Sequence, residues 1–288
     1  MAFLRFEPIY HEKIWGGDTL ATEYGRELPA GKKIGESWEL VDREDDCSRL
    51  VEPHLDCADL HALWQHPDRE AIFGRRAPHL PRFPILLKLL DCRDKLSVQV
   101  HPPPEKAAEL GGEPKTELWY FLGTEDDASI YVGLKKGVTR ADFEAAIGTP
   151  ELAGLLYEAK TRPGDVMFLP SGRLHAIGAG NLIFEVQQNS DTTYRVDDWS
   201  RLDDQGQPRE LHIEKSLASI DFDDPEPAFA QPHGERILEC PCFSIYQTFI
   251  FHDEVRSWIS DGASFQFHLI AQGEVTVDGT TYRRGEHL

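Results

Sequence analysis

The chain has 288 residues, 50 of them Asp or Glu against 30 Lys or Arg, for a formal net charge of -20, and 40% are hydrophobic. That balance repels nucleic acid and anionic membrane surfaces at long range, while the length supplies a core or two, so two lobes are expected. No apolar run is long enough to span a bilayer and the start Met1–Glu7 has no apolar leader segment, which predicts a cytoplasmic protein without nucleic-acid or membrane partners, as a monomer or weak homo-oligomer.

Cys47, Cys57, Cys92, Cys240 and Cys242 are scattered without a CxxC pair, which predicts reduced thiols rather than a disulfide framework. Cys240-Pro241-Cys242 has the composition of a soft-metal chelate, yet its proline-broken strand context favours packing. Short β-rich segments alternate with a few helical ones, and Gly16-Gly17, Gly111-Gly112, Pro163-Gly164 and Gly178-Ala179-Gly180 mark turns between them. A mostly-β architecture follows.

In chain order, residues 56–76 read as one or two helices. Leu60, Leu63, Trp64 and Ile72 keep a helical rhythm, Asp56 and Asp59 offer caps, and Pro67 interrupts. Ser97-Val98-Gln99-Val100-His101-Pro102 then reads as a strand, in which Gln99 and His101 share one face and Val98 and Val100 the other. In the next strand Lys115 and Glu117 share a face, ahead of the apolar run Leu118–Leu122. Thr139-Arg140-Ala141-Asp142 is a helix start, and Phe143, Ile147, Leu152, Leu155 and Leu156 continue its apolar stripe. Near 222–234 the composition turns to Asp, Pro, Glu, Gln and Gly, as in a linker, and a smaller β lobe follows. Arg283-Arg284-Gly285-Glu286 there echoes Arg162-Pro163-Gly164-Asp165, which marks the second lobe as a degenerate repeat. Its His252, His268 and His287 have no partner carboxylate strand, so no metal is expected among them.

The ligand-type residues of the first lobe are more specific. One strand Gln or His is ordinarily hydrogen-bonded structure. Gln99, His101, Glu117 and His175 on neighbouring strands point instead to a metal. Gly164, five residues, Pro170, one residue, Gly172, two residues and His175 match the second signature of the cupin barrels. With Gln-x-His, Lys-x-Glu, the segment Glu185–Arg195, Ile14-Trp15-Gly16-Gly17, Gly35-Glu36-Ser37-Trp38-Glu39 and Leu87–Asp91, the chain resembles the type I phosphomannose isomerases, zinc-dependent cupins, in their shorter bacterial form. The resemblance spans most of residues 1–222.

It implies a cupin double-stranded β-helix (jelly-roll) domain over 1–222 with helical additions, and a degenerate cupin-like β domain over 223–288. Compared with the family pattern, that second domain stops at Arg284–Leu288, where a closing strand is expected. It implies Zn²⁺ on Gln99, His101, Glu117 and His175, with Arg195 as the catalytic arginine. The implied reaction interconverts mannose 6-phosphate and fructose 6-phosphate, an aldose–ketose isomerisation through an enediol(ate). Two imidazoles, one carboxylate and a neutral amide suit zinc and leave it a strong Lewis acid, although manganese, cobalt or ferrous iron share such ligands. Lys115 is a candidate for proton transfer or oxygen contact, or else a salt-bridge partner. Glu185 is a candidate base or a paired strand carboxylate, and Asp191 an orienting or substrate-binding group or a turn cap. Ser97 and Lys88 match positions that the family places near the phosphate. The alternative reading is a catalytically weak or inactive cupin homologue that binds or senses a sugar phosphate. Retention of both Lys115 and Arg195 favours the enzyme, and Gln99 in the first ligand position disfavours an iron oxygenase.

Overall fold

The computed structural model describes residues 3–202, 206–257 and 261–288. Eleven of its first thirteen strands form two antiparallel sheets. In chain order they are β1 (Ile9–Gly17), β2 (Ile34–Leu40), a small β3–β4 hairpin (Arg49–His54, Cys57–Asp59), β5 (Ile85–Cys92), β6 (Val98–Val100), β7 (Glu117–Thr124), β8 (Ser129–Leu134), β9 (Leu156–Lys160), β10 (Val166–Leu169), β11 (His175–Ile177), β12 (Asn181–Gln188) and β13 (Tyr194–Asp197). One sheet has the order β1-β2-β5-β12-β7-β10 and the other β13-β6-β11-β8-β9. The fold is mostly β and is the expected double-stranded β-helix, present as two opposed sheets; among the described residues, hydrogen bonds do not join them into one closed ring.

Strand alternation decides what lies between the sheets. Leu90 and Cys92 of β5, Trp119 and Phe121 of β7, Ile130 and Val132 of β8, and Ile177 of β11 meet in one buried cluster. Each large side chain there contributes about 1.5–3 kcal/mol by leaving water. Every residue of β5 is buried, because its other face is covered as well. Ile85, Leu87 and Val186 pack outward beneath Leu60, Leu63, Trp64 and Phe73. Those four belong to two short helices, α1 (Leu60–Gln65) and α2 (Arg69–Phe73), which flank Pro67 as the rhythm predicted. Asp59 caps α1 by accepting a hydrogen bond from Ala62 N at 2.8 Å. Asp56 does not cap it: with Leu55 it occupies a left-handed turn, φ 59° and 50°.

The capping box at Thr139 and Asp142 starts a helix over Arg140–Ala146. The stripe then breaks at Ile147, whose ψ of 129° is extended, before a single turn over Leu152–Leu155; Leu156 already belongs to β9. The early Gly-rich motifs have a steric cause. A Cβ on Gly16 would stand 2.4 Å from Gly35 N, and one on Gly35 2.7 Å from Lys13 Cβ, so only glycine lets β1 and β2 approach.

The stretch after residue 221 is strapped across the first lobe. Phe222 packs on Phe143, Asp224 pairs with Arg173 at 2.6 Å, and Ala230 N bonds to Val166 O. Beyond it lie two separate hairpins, β14–β15 (Arg236–Glu239, Ser244–Tyr246) and β16–β17 (Glu274–Val277, Thr280–Arg283). Phe265 and Phe267 join the apolar cover on the six-stranded sheet. Segment 265–270 pairs through His268 and Ile270 with residues 285–288.

Candidate metal centre and active site

At one end of the sandwich the apolar filling gives way to ionisable side chains. His175 opens β11 directly opposite Gln99 of β6, and Gln99 lies directly opposite Arg195 of β13, so the three share a face. Glu117 opens β7 in the facing sheet. Gly172, in the left-handed region at φ 97°, completes the turn that delivers His175, and its N–H bonds to His101 O at 2.8 Å, tying the two histidine segments together.

The three ligand-type residues converge. His175 Nε2 is 3.3 Å from Glu117 Oε1 and His101 Nε2 is 3.6 Å from Glu117 Oε2, with all three side chains buried. Atoms bound tetrahedrally at about 2.0–2.1 Å from zinc stand about 3.4 Å apart. The spacing therefore fits such an ion. His101 Nδ1 faces Thr192 O at 2.7 Å and His175 Nδ1 faces Arg173 O at 2.9 Å. A carbonyl can only accept, so each imidazole donates from Nδ1 and turns a lone pair on Nε2 toward Glu117. Both Nε2 atoms and both Glu117 oxygens are buried without a formed hydrogen bond, which is the orphaned state that a cation relieves. Among the described residues this is the group of three His, Cys, Asp or Glu side chains able to hold a metal. Gln99, at the cross-strand position beside His175, can add an amide oxygen.

The electrostatics agree. Burial and the Lys115 ammonium push the His101 pKa down to about 4 despite Glu117, and burial lowers that of His175, so both rings are neutral at pH 7. Burial opposes ionisation of Glu117, but the Lys115 ammonium outweighs it and holds the carboxyl well below its ordinary range. Lys115 Nζ stands 3.0 Å from Glu117 Oε2. Arg195 Nη1 donates to Glu210 O at 2.8 Å, and its buried Nε has no protein partner. Ser97 is buried at the start of the Gln99 strand, and Asp191 is exposed in the loop after β12.

Lys88 and Glu185 sit deeper than a sequence reading suggests. Lys88 is buried, 3.4 Å from Glu185 Oε1 and 3.5 Å from Glu36 Oε2. Glu185 Oε2 accepts from Trp119 Nε1 at 2.9 Å, so both its oxygens have partners. Sequence reasoning assigned no role to Glu36, Trp38 or Trp119. The alternation Glu36-Ser37-Trp38 was the available signal, since it puts an acid and an aromatic on one strand face. The C-terminal histidines lie elsewhere: His287 pairs with Glu39 at 3.2 Å and His252 is exposed.

The family model for phosphomannose isomerase type I, catalytic domain, matches residues 3–124. The probable mannose-6-phosphate isomerase GmuF of Bacillus subtilis (strain 168) is 42% identical over 220 residues, 75% of this chain and 68% of that protein. The mannose-6-phosphate isomerase of Streptococcus mutans serotype c is 34% identical over 296 residues, 98% of this chain and 92% of that one. Among solved structures, the mannose 6-phosphate isomerase of Bacillus subtilis superposes with a TM-score of 0.84 at 29% identity, covering 99% of this chain and 92% of that chain. A zinc-bound mannose 6-phosphate isomerase shares the fold at a TM-score of 0.70 and 17% identity, covering 99% and 93%. With its two opposed sheets and buried His–Glu–His group, this chain belongs to the type I phosphomannose isomerase family.

Proposed function

We propose that this protein interconverts mannose 6-phosphate and fructose 6-phosphate, with zinc held by Gln99, His101, Glu117 and His175. The observation that carries the reading is the convergence of two neutral imidazoles and a carboxylate, none of whose facing atoms forms a hydrogen bond, with Lys115 paired to the carboxylate and Arg195 on the neighbouring strand. When bound, the metal supplies a Lewis acid that polarises sugar oxygens. The relatives named above, mannose-6-phosphate isomerases by name, support the same substrate.

The isomerisation takes a proton from carbon 2 and returns one to carbon 1, while charge builds on the sugar oxygens. Arg195 stays protonated and its unpartnered Nε–H faces that charge without moving a proton itself. Lys115, tethered to Glu117, contacts or protonates a sugar oxygen. In an acidic chain, a dianionic phosphate needs local cations, and we assign Lys88 and Ser97 to it, with Asp191 orienting a hydroxyl at the exposed side. No helix of the described residues is long and apolar enough to cross a membrane. The test is a coupled assay with mannose 6-phosphate before chelation, after it, and after zinc is restored. Turnover should vanish and return; turnover indifferent to chelation, or none with zinc bound, refutes the proposal.

A further inference from the structure

Four residues of the six-stranded sheet stand in one cross-strand row. Trp38 of β2 is opposite Lys88 of β5, Lys88 is opposite Glu185 of β12, and Glu185 is opposite Trp119 of β7. Glu36, two residues before Trp38, closes the row on its outer side. Both glutamates touch Lys88 and an indole N–H, Glu36 through one oxygen and Glu185 through two. Glu36 Oε2 accepts from Trp38 Nε1 at 2.7 Å and lies 3.5 Å from Lys88 Nζ. Glu185 takes Trp119 Nε1 on one oxygen and Lys88 on the other. Each carboxylate thus accepts an indole N–H and also reaches the same ammonium. The Trp38 ring also lies 5.0 Å from Lys88 Nζ, a cation–π contact, and Lys13 Nζ is 3.2 Å from Glu36 Oε1. At the inner end, Trp119 meets the ring of His175 edge to face at 5.4 Å.

A lysine left alone at this depth would shed its proton. Burial does act to lower the Lys88 pKa, but Glu36, Glu185, the loop residue Asp191 and Glu117 outweigh it and raise the value above that of ordinary lysine. Glu36 itself is held far below the carboxylate range: burial opposes this, and Lys88, Lys13 and the Trp38 N–H outweigh it. Two carboxylates and a ring face occupy most of the ammonium's contacts and leave it one N–H beyond the pair of carboxylates.

We infer that Glu36 is a positioning residue: with Glu185 it brackets the buried Lys88 ammonium and fixes it as the contact for the anionic end of the phosphosugar. This rests on the isomerase reading above, and it makes Glu185 a second bracket rather than the proton-moving base.

The test is Glu36→Gln, which keeps the shape and removes the charge, studied as the zinc-loaded full chain. The KM for mannose 6-phosphate should rise about tenfold while kcat falls less, because binding of the anion is lost more than chemistry. The Lys88 side-chain nitrogen resonance, assigned by its loss in Lys88→Arg, should titrate about a pH unit or more lower than in the parent. Glu36→Asp, which keeps the charge, should restore part of both effects, and Trp38→Phe, which removes the indole N–H, should reproduce them more weakly. An unchanged KM, or a Lys88 titration identical to the parent, overturns the inference. If the parent protein turns over no mannose 6-phosphate, the isomerase reading fails, and the nitrogen titration still decides whether Glu36 brackets Lys88.

Discussion

Replacing Glu117 by Gln in metal-stripped protein removes one charge from a pair with almost no access to water: the Glu117 side chain is 0% exposed and that of Lys115 6%. Breaking a buried ion pair from one side costs about 3–5 kcal/mol, because the other charge is left without compensation. A loss of about 3–5 kcal/mol is therefore expected, a large part of a typical domain's total stability. The assay is denaturant unfolding of four proteins under chelation: parent, Glu117→Gln, Lys115→Met and the double variant. If the pair is the cause, the double variant should be more stable than the sum of the single losses implies, by about 2 kcal/mol or more. Additive losses, or a loss under about 1 kcal/mol for Glu117→Gln, would show that Lys115 finds water or another carboxylate and that the pair is weak.

Three further outcomes are expected. Arg195→Lys should bind substrate comparably and turn over at least about 10²-fold more slowly, since an ammonium lacks the planar fork; near-normal turnover with zinc bound would reduce Arg195 to a structural role. Because the His101 pKa is lowered to about 4 and that of His175 is lowered too, protons should compete for the ligands only well below pH 6.5. Zinc retention in equilibrium dialysis should stay flat from pH 8 to about 5.5, and a tenfold drop between pH 7 and 6 would contradict the buried neutral imidazoles. We propose residues 223–288 as a separate lobe with the lower local stability, because its two hairpins are short and Phe249, Phe251 and Val255 are 64%, 73% and 90% exposed. Hydrogen exchange should be faster there than in β5, β7 and β12, and slower exchange would mean that the lobe is buried against another chain.

What could be read from the sequence was local. Period-two alternation is a property of one strand, so the shared faces of Gln99 and His101 and of Lys115 and Glu117 were legible, and glycine and proline marked the turn before His175. Register between strands is not local. Nothing in the order of residues says that Trp38, Lys88, Glu185 and Trp119 stand in one row, because that follows from how four strands separated by long connections align. Glu185 therefore read equally as a candidate base or a paired strand carboxylate, and Lys88 as a phosphate contact, until the pairing put them side by side. The stripe Phe143–Leu156 misled for a related reason: apolar periodicity continued through Ile147, but the backbone turned there and Leu156 entered a strand. The pairing of segment 265–270 with residues 285–288 was hidden for the same reason, since 285–288 is a short irregular stretch with no strand signal of its own.

The groups that orient the two metal-facing imidazoles are the main-chain carbonyls of Thr192 and Arg173. A carbonyl oxygen belongs to every residue type, so side chains at these two positions can change without altering how either ring is aimed. Natural variation there is unconstrained by ring orientation, and a search for invariant residues would pass over both supports. Damage of a different kind should be severe. A proline after either position, or an inserted residue that rotates the peptide, would turn the carbonyl away while leaving every ligand in place. The site is thus more tolerant of chemical change in its supports than of a shift in the path of the chain.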